Sequence, residues 1–154
     1  MTPLHYLKRQ SKKLIKDYKT KTSYIDKIDG YTYYKYDPKY FDMDSIVCDF
    51  DIDEENFTLM NAQHIITRMV GFYKWTDLEK ASQSELELAK LLFDNQHKLS
   101  SDEWDIYLEI NQQSNNKVFD ADERLEIFKV VFLNVDGHVS SFADYRLKQP
   151  ITTV

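Results

Sequence analysis

The densest run of residues that could do chemistry is acidic, with Asp49, Asp51 and Asp53 at alternate positions and two glutamates directly after them. Carboxylate oxygens are the ligands that calcium prefers in proteins. An EF-hand calcium loop, however, needs glycine at its sixth position and a bidentate acid at its twelfth. Counted from Asp49, those positions hold Glu54 and Met60, so an EF-hand is excluded. Asp49, Asp51 and Asp53 remain weak candidates for a looser metal site, and a solvated acidic edge is the favoured alternative.

The other reactive residue types form no catalytic pattern. None of the four histidines has a ligand spacing such as His-Glu-x-x-His, and we expect His64, on the predicted central helix, to be a surface or structural residue. Cys48 is surrounded by acids, whereas a reactive thiol needs a basic setting, so we expect a small buried hydrophobe. The three glycines are isolated, which excludes a phosphate-binding loop and a nucleophile elbow. No catalytic residue and no cofactor is predicted.

The N-terminal residues carry a basic amphipathic helix. Thr2 and Pro3 are typical of an N-cap followed by proline at the first helical position. Leu7, Leu14 and Tyr18 mark an apolar face, and the pattern predicts a helix of about 17 residues. If the chain binds nucleic acid, the predicted phosphate contacts are Lys8, Arg9, Lys12, Lys13 and Lys16.

Charge is divided unevenly along the chain, whose net charge is −6. Residues 1–40 hold ten Lys/Arg against four Asp/Glu, whereas residues 41–154 hold ten against twenty-two. The protein either has separate basic and acidic faces, or its two parts neutralise each other on folding, which is the simpler expectation. Nucleic-acid binders usually show a clear basic surplus, so direct DNA or RNA binding is the second hypothesis rather than the first.

A tyrosine-rich stretch follows the first helix. Asp29 and Gly30 predict a turn, and the tyrosines after them favour an extended chain, so the sequence allows a short hairpin. Tyrosine combines a large contact area with a low ordering cost, which is typical of protein-binding surfaces and also of covers over a core. The predicted partner-binding residues are Tyr31, Tyr33, Tyr34, Tyr36, Tyr40 and Phe41. Residues 45–53 alternate apolar and polar and predict a strand, with a helical turn starting at Asp44 as the alternative.

The central segment, residues 58–78, has the clearest structural pattern. Apolar residues recur at three- and four-residue steps between a capping Thr58 and Gly71, which predicts a helix with a glycine stop. Trp75 and its apolar neighbours predict an anchor that folds back on this helix. Serine or aspartate followed three residues later by glutamate predicts three further helices, packed on two sides, at about 83–97, 101–113 and 121–134.

Two segments together resemble a helical unit found at the start of certain bacterial ankyrin-repeat proteins and beside some glyoxalase-fold domains. They are Leu-Lys-Arg-Gln-Ser-Lys at 7–12 and Ala-Gln-His-Ile-Ile-Thr-Arg at 62–68, the latter followed by Gly-Phe-x-x-Trp-x-x-Leu at 71–78. Ser11 and Thr67 stand where the unit has alanine, and the match covers about a fifth of the chain. No catalytic residue comes with the unit. The resemblance implies a small bacterial helical unit that caps or accompanies other domains.

We therefore predict a mainly α single domain over residues 1–154, a bundle of about five helices with an optional short β-hairpin between the first two and a frayed tail at 148–154. One cysteine and the absence of a signal peptide or a run of about 18 apolar residues predict a cytoplasmic protein without membrane contact, and the resemblance implies that it is bacterial. The leading functional hypothesis is a non-enzymatic interaction or regulatory module that binds a protein or a second copy of itself. A nucleic-acid-binding regulator comes second, and an enzyme or divalent-metal-binding protein comes third.

Overall fold

The computed structural model describes residues 1–148, which form seven α-helices, a two-stranded sheet and one π-helical turn. In chain order these are α1 Pro3–Tyr18, β1 Thr22–Ile25, β2 Thr32–Lys35, α2 Met43–Asp49, α3 Leu59–Met69, α4 Trp75–Glu79, α5 Gln83–Asp94, α6 Ser101–Asn115, α7 Ala121–Phe128 and the π turn Lys129–Leu133. The mainly α class and the hairpin between the first two helices are confirmed, whereas the count of five helices is wrong. Of the predicted frayed tail, residues 149–154 lie outside the described residues.

Helix α1 begins as predicted. The Thr2 side chain accepts a hydrogen bond from the His5 backbone N–H at 3.1 Å, and Pro3 occupies the first helical position. Leu7, Leu14 and Tyr18 are buried along one face.

Helix α2 replaces the strand that was predicted over residues 45–53, and the helical alternative is the correct one. Asp42 caps the helix, because its carboxylate accepts hydrogen bonds from the Ser45 backbone N–H at 3.2 Å and from the Ser45 hydroxyl at 2.8 Å. Met43 and Ile46 are buried. Two helical steps turn the chain by about 200°, so Cys48 points away from Ile46. Cys48 is accordingly exposed, and its predicted burial is wrong.

Helix α3 and the chain after it form the predicted central unit. Thr58 and Asn61 make a reciprocal capping box, and the helix stops at Gly71, whose φ of +84° is left-handed. Ile66 is fully buried, and Phe72 and Trp75 are half-buried against the same cluster. Helix α3 packs directly on α1, so the two segments that carry the resemblance lie side by side.

Two hydrophobic clusters meet at helix α5. The first core is built mainly from α1 to α4, and the second core from α5, α7 and the start of α6. Ala89 and Phe93 of α5 face the first core, while Leu88 and Leu92 face the second, so the expected two-sided packing is right for α5. It is wrong for α6, in which Trp104 is the only buried residue.

Side-chain caps set the starts of the later helices. Capping boxes join Ser82 to Glu85 and Ser100 to Glu103, as predicted, while Asp120 caps α7 without the reciprocal bond. The α-helical geometry ends earlier than expected in two places. Helix α5 stops at Asp94, and residues 129–133 wind as a π turn.

The C-terminal segment 138–147, called the strap below, runs back across the molecule. The Tyr145 carbonyl accepts a hydrogen bond from the Asp42 N–H at 2.9 Å, and the Leu147 N–H donates to the Tyr40 carbonyl at 2.9 Å. The Ser140 N–H donates to the His97 carbonyl at 3.0 Å. The strap therefore ties the start of α2 to the connection between α5 and α6.

Candidate functional site

The tyrosine-rich stretch forms an antiparallel hairpin of strands β1 and β2. Tyr24 pairs with Tyr33 across the strands, and their stacked rings lie 5.9 Å apart between centroids. The Lys35 ammonium lies 4.9 Å from the centroid of the Tyr24 ring. Within residues 1–148 this sheet contains only these two strands, so each strand has an outer edge without a strand partner.

Two aspartates fix the shape of the hairpin tip. The Asp26 carboxylate accepts hydrogen bonds from the backbone N–H groups of Ile28 at 2.7 Å and Asp29 at 3.2 Å. The Asp29 carboxylate accepts from the Tyr31 N–H at 2.8 Å and from the Tyr33 hydroxyl. The hydrogen bond from Tyr33, followed by that from Tyr31, holds the pKa of Asp29 below its usual value. These bonds preorganise the tip, so a partner that binds the tip would not have to order it.

Five large apolar side chains are exposed together on this hairpin. Ile28 at the tip is 96% exposed and Tyr31 is 70% exposed. The set, called the hairpin surface below, consists of Tyr24, Ile25, Ile28, Tyr31 and Tyr33. Tyr24 and Tyr33 pair on one face of the sheet, Ile25 lies on the other face, and Ile28 and Tyr31 lie in the tip. Single exposed apolar residues are ordinary, but five on one short hairpin indicate a contact surface.

The structure separates the six predicted partner-binding residues into two groups. Tyr31 and Tyr33 are exposed, but Tyr34, Tyr36 and Tyr40 are half-buried and Phe41 is only 1% exposed. Phe41 is therefore a core residue and its assignment to a contact surface is wrong.

The half-buried tyrosines hold the base of the hairpin. The Tyr36 hydroxyl donates to the Glu54 carboxylate at 2.8 Å, and the Tyr34 hydroxyl donates to Glu55 at 3.3 Å. The Lys21 ammonium lies 4.4 Å from the Tyr34 ring centroid and donates to the Tyr18 hydroxyl at 3.0 Å. The two glutamates after the aspartate run therefore anchor the hairpin to the helical body.

Asp17 is the buried charge that positions the rest of this stretch. It is 2% exposed, and its carboxylate accepts hydrogen bonds from the backbone N–H groups of Lys39 at 2.9 Å, Tyr40 at 2.9 Å and Phe41 at 2.8 Å. A buried carboxylate needs several donors to offset its lost hydration. The helix α1 thereby fixes where residues 39–41 enter the core.

The basic side chains of α1 form no ion pairs within residues 1–148. Lys8, Arg9, Lys12 and Lys16 are exposed, and the Lys13 ammonium lies 5.0 Å from the Tyr40 ring centroid. The ion pairs of the described chain lie elsewhere, at Lys90–Asp94, Lys117–Glu123 and Arg146–Asp144. Within residues 1–148 the basic side chains of α1 therefore form no direct ion pair with the acidic part, and mutual neutralisation of the two parts stays a prediction.

The aspartates at 49, 51 and 53 do not share a site. Asp49 accepts a hydrogen bond from the Tyr145 hydroxyl at 2.8 Å, whereas Asp53 accepts from the Glu55 N–H at 3.0 Å. Asp51 lies in a left-handed turn with φ of +49°. Among residues 1–148 no three His, Cys, Asp or Glu side chains group in a way that could hold a metal ion. His64 is exposed on α3.

The sequence pattern missed the first half of the hairpin surface. Tyr24, Ile25 and Ile28 were not predicted, because the run of tyrosines that indicates a contact surface lies after the turn. A signal was present in Asp26-Lys27-Ile28-Asp29-Gly30, where an apolar residue stands between two turn-forming aspartates. No family model, curated protein or solved structure matches the chain. In the part of the chain from 1 to 148, no helix has both the length and the apolar character needed to cross a bilayer.

Proposed function

We propose that this protein is a non-enzymatic interaction module that binds another protein through the hairpin surface. The observation that carries the proposal is the exposure of five large apolar side chains on a preorganised two-stranded sheet. An isolated two-stranded hairpin is marginally stable in water, and burial of its exposed apolar side chains by a partner would stabilise it. The resemblance to a helical unit that accompanies other domains supports a role of this kind.

The charges around the hairpin specify the partner further. Lys27 at the tip and Lys35 on β2 are exposed beside the apolar side chains. Charge complementarity fixes register and orientation at protein interfaces more than it adds affinity. Asp26 and Asp29 carry the opposite charge at the same tip, so we expect an apolar partner surface whose rim holds charges of both signs.

The test uses the full chain and a double variant, Ile28→Ser/Tyr31→Ser. Both side chains are exposed, so the variant is expected to fold normally, with a change in unfolding free energy within about 0.5 kcal/mol per site. Sedimentation analysis would first measure self-association. Proteins retained by the wild-type chain at high salt would then be purified and titrated against both chains by calorimetry. We expect the double variant to weaken self-association or partner binding by about tenfold or more.

Ile110→Ser provides the matched control, because Ile110 is an exposed apolar residue on α6. The control is expected to bind as the wild type does. Equal binding by the hairpin variant, or a monomeric wild type that retains no protein through its hairpin, would contradict the proposal.

The second candidate function is nucleic-acid binding through α1, favoured by four exposed basic side chains without ion pairs in the described residues. In that case DNA binding would weaken steeply with salt, because phosphate contacts release counterions. In a gel-shift titration, the variant Lys8→Glu/Lys12→Glu would no longer shift the DNA. The hairpin variant Ile28→Ser/Tyr31→Ser would leave it unchanged, which separates the two functions.

A further inference from the structure

A cleft of about 370 Å³ is lined by residues from 49 to 145, none of which belongs to the hairpin. The ends of α2 and α3 form one side, and the start of α6 and the strap form the other. Clefts of a few hundred cubic ångströms are the usual size for small-molecule sites.

Aromatic side chains form much of the cleft lining. Phe50 and Tyr145 both line the cleft and contact each other, with 5.2 Å between ring centroids. Phe72, Tyr73 and Phe142 complete the aromatic lining. Such walls offer an apolar body a large contact area and offer a cation the negative faces of the rings.

The charged groups in the lining are predominantly negative. Asp49, Asp102 and Asp105 line the cleft together with one cation, Arg68. The Arg68 guanidinium lies 5.9 Å from the Phe50 ring centroid and forms no ion pair within residues 1–148. Asp49 already accepts a hydrogen bond from Tyr145.

Asp102 and Asp105 are the two lining carboxylates that remain free to accept hydrogen bonds from a ligand. They are three residues apart in α6, which places them on one face of the helix. Neither side chain accepts a hydrogen bond from any residue between 1 and 148. Desolvation, followed by the charge of Asp102, raises the pKa of Asp105. A positive charge placed between them would offset the repulsion between the two carboxylates.

We propose that the cleft binds a small organic cation, in which a protonated amine is attached to an apolar or aromatic body. The ammonium group lies near Asp102 and Asp105, and the body lies against the aromatic wall. The argument for this occupant is charge complementarity, because the lining holds three carboxylates against one guanidinium, together with five aromatic side chains. An anion of the same size would meet a net negative site. The site is independent of the hairpin surface.

The test titrates the full chain with three probes of similar shape: 2-phenylethylamine, the neutral 2-phenylethanol and the anionic 3-phenylpropionate. Calorimetry and chemical-shift changes would measure binding. We expect the amine to bind at least about tenfold more tightly than the alcohol, and the carboxylate to bind weakest. As pH falls, Asp105 takes up a proton, so binding of the amine should weaken. Because the pKa of Asp105 is raised, the weakening should begin at a higher pH than it would with an ordinary aspartate.

Variants locate the site. Asp102→Asn/Asp105→Asn should remove the preference for the amine over the alcohol, while Glu126→Gln, which changes an exposed acid on α7, should keep it. The hairpin variant Ile28→Ser/Tyr31→Ser should also bind the amine normally, so failure of one proposal is distinguishable from failure of the other. Equal binding of all three probes, no binding of the amine, or an unchanged preference in the double Asn variant would overturn the proposal.

Discussion

The first and second cores differ in how many apolar residues they bury. The first core contains sixteen buried apolar residues and draws on four helices as well as α5, whereas the second contains seven. Three of those seven are aromatic, and Trp104 contacts Phe128 and Phe132 edge to face at 5.3 and 5.8 Å between ring centroids. Ile106, Ile110 and Val130 remain exposed on the helices around the second core.

This difference indicates that stability is unevenly distributed along the chain. Regions with few buried apolar contacts open locally at a lower free energy than the rest of a protein. Helix α6 is such a region, because Trp104 is its only buried side chain. The same helix supplies Asp102 and Asp105 to the cleft, so an occupant of the cleft would stabilise the less protected half.

The sharpest test of the comparison is a matched pair of truncations, Phe93→Ala in the first core and Phe128→Ala in the second. Both rings are buried, and each truncation is expected to cost about 3–5 kcal/mol. Phe93 contacts Tyr6 and Phe41, with ring centroids 5.9 and 6.2 Å away. Phe93→Ala should therefore remove amide-exchange protection from the whole chain, whereas Phe128→Ala should remove it first from α6 and α7.

Hydrogen exchange followed by mass spectrometry would measure this pattern. The uneven distribution of stability would be contradicted if Phe128→Ala lowered protection in α1 and α3 as much as in α6. The two cores would then unfold as one cooperative unit, joined through α5.

A smaller effect is expected from Asp17, the buried carboxylate of the first core. Asp17→Ala would leave three backbone N–H groups without their acceptor, which should cost about 3 kcal/mol. Asp37→Ala is the control, because this aspartate is exposed and a surface change of this kind is within about 0.5 kcal/mol. Urea denaturation would compare the two. Equal midpoints for both variants would show that residues 39–41 find other acceptors.

Locally encoded features were readable from the sequence. Thr2-Pro3, the two serine capping boxes and Gly71 each act within a few residues, and the structure has all of them in place. The prediction of a strand over 45–53 was wrong because so short a run fits the period of a strand and that of a helix equally well. The Asp42 cap favours the helix.

Long-range features were not readable. The Asp17 carboxylate binds residues 22 to 24 positions away, and the Tyr145 hydroxyl donates to Asp49, 96 positions away. No local pattern encodes either contact. The cleft is likewise assembled from four separate stretches of chain, so Asp102 and Asp105 looked like ordinary first-turn acids of a helix. The hairpin surface was found in part, because its turn is local but the exposure of its residues depends on the packing of everything else.

The smallest predicted effect concerns pH and the second core. Burial alone would raise the pKa of Glu103, but hydrogen bonds from the Ser140 hydroxyl and the Ser100 backbone N–H outweigh it and hold the pKa below the ordinary 4.5. A lowered pKa in the folded state means that the ionised carboxylate stabilises the fold above the unfolded value. That stability is lost as pH falls through the folded pKa. Glu103→Gln should therefore lower the free energy of unfolding at neutral pH by about 1 kcal/mol, and the melting temperature with it. The difference between this variant and the wild type should shrink in acid. Melting curves collected between neutral and acidic pH would measure the trend, and a constant difference would show that Glu103 does not couple α6 and the strap to pH.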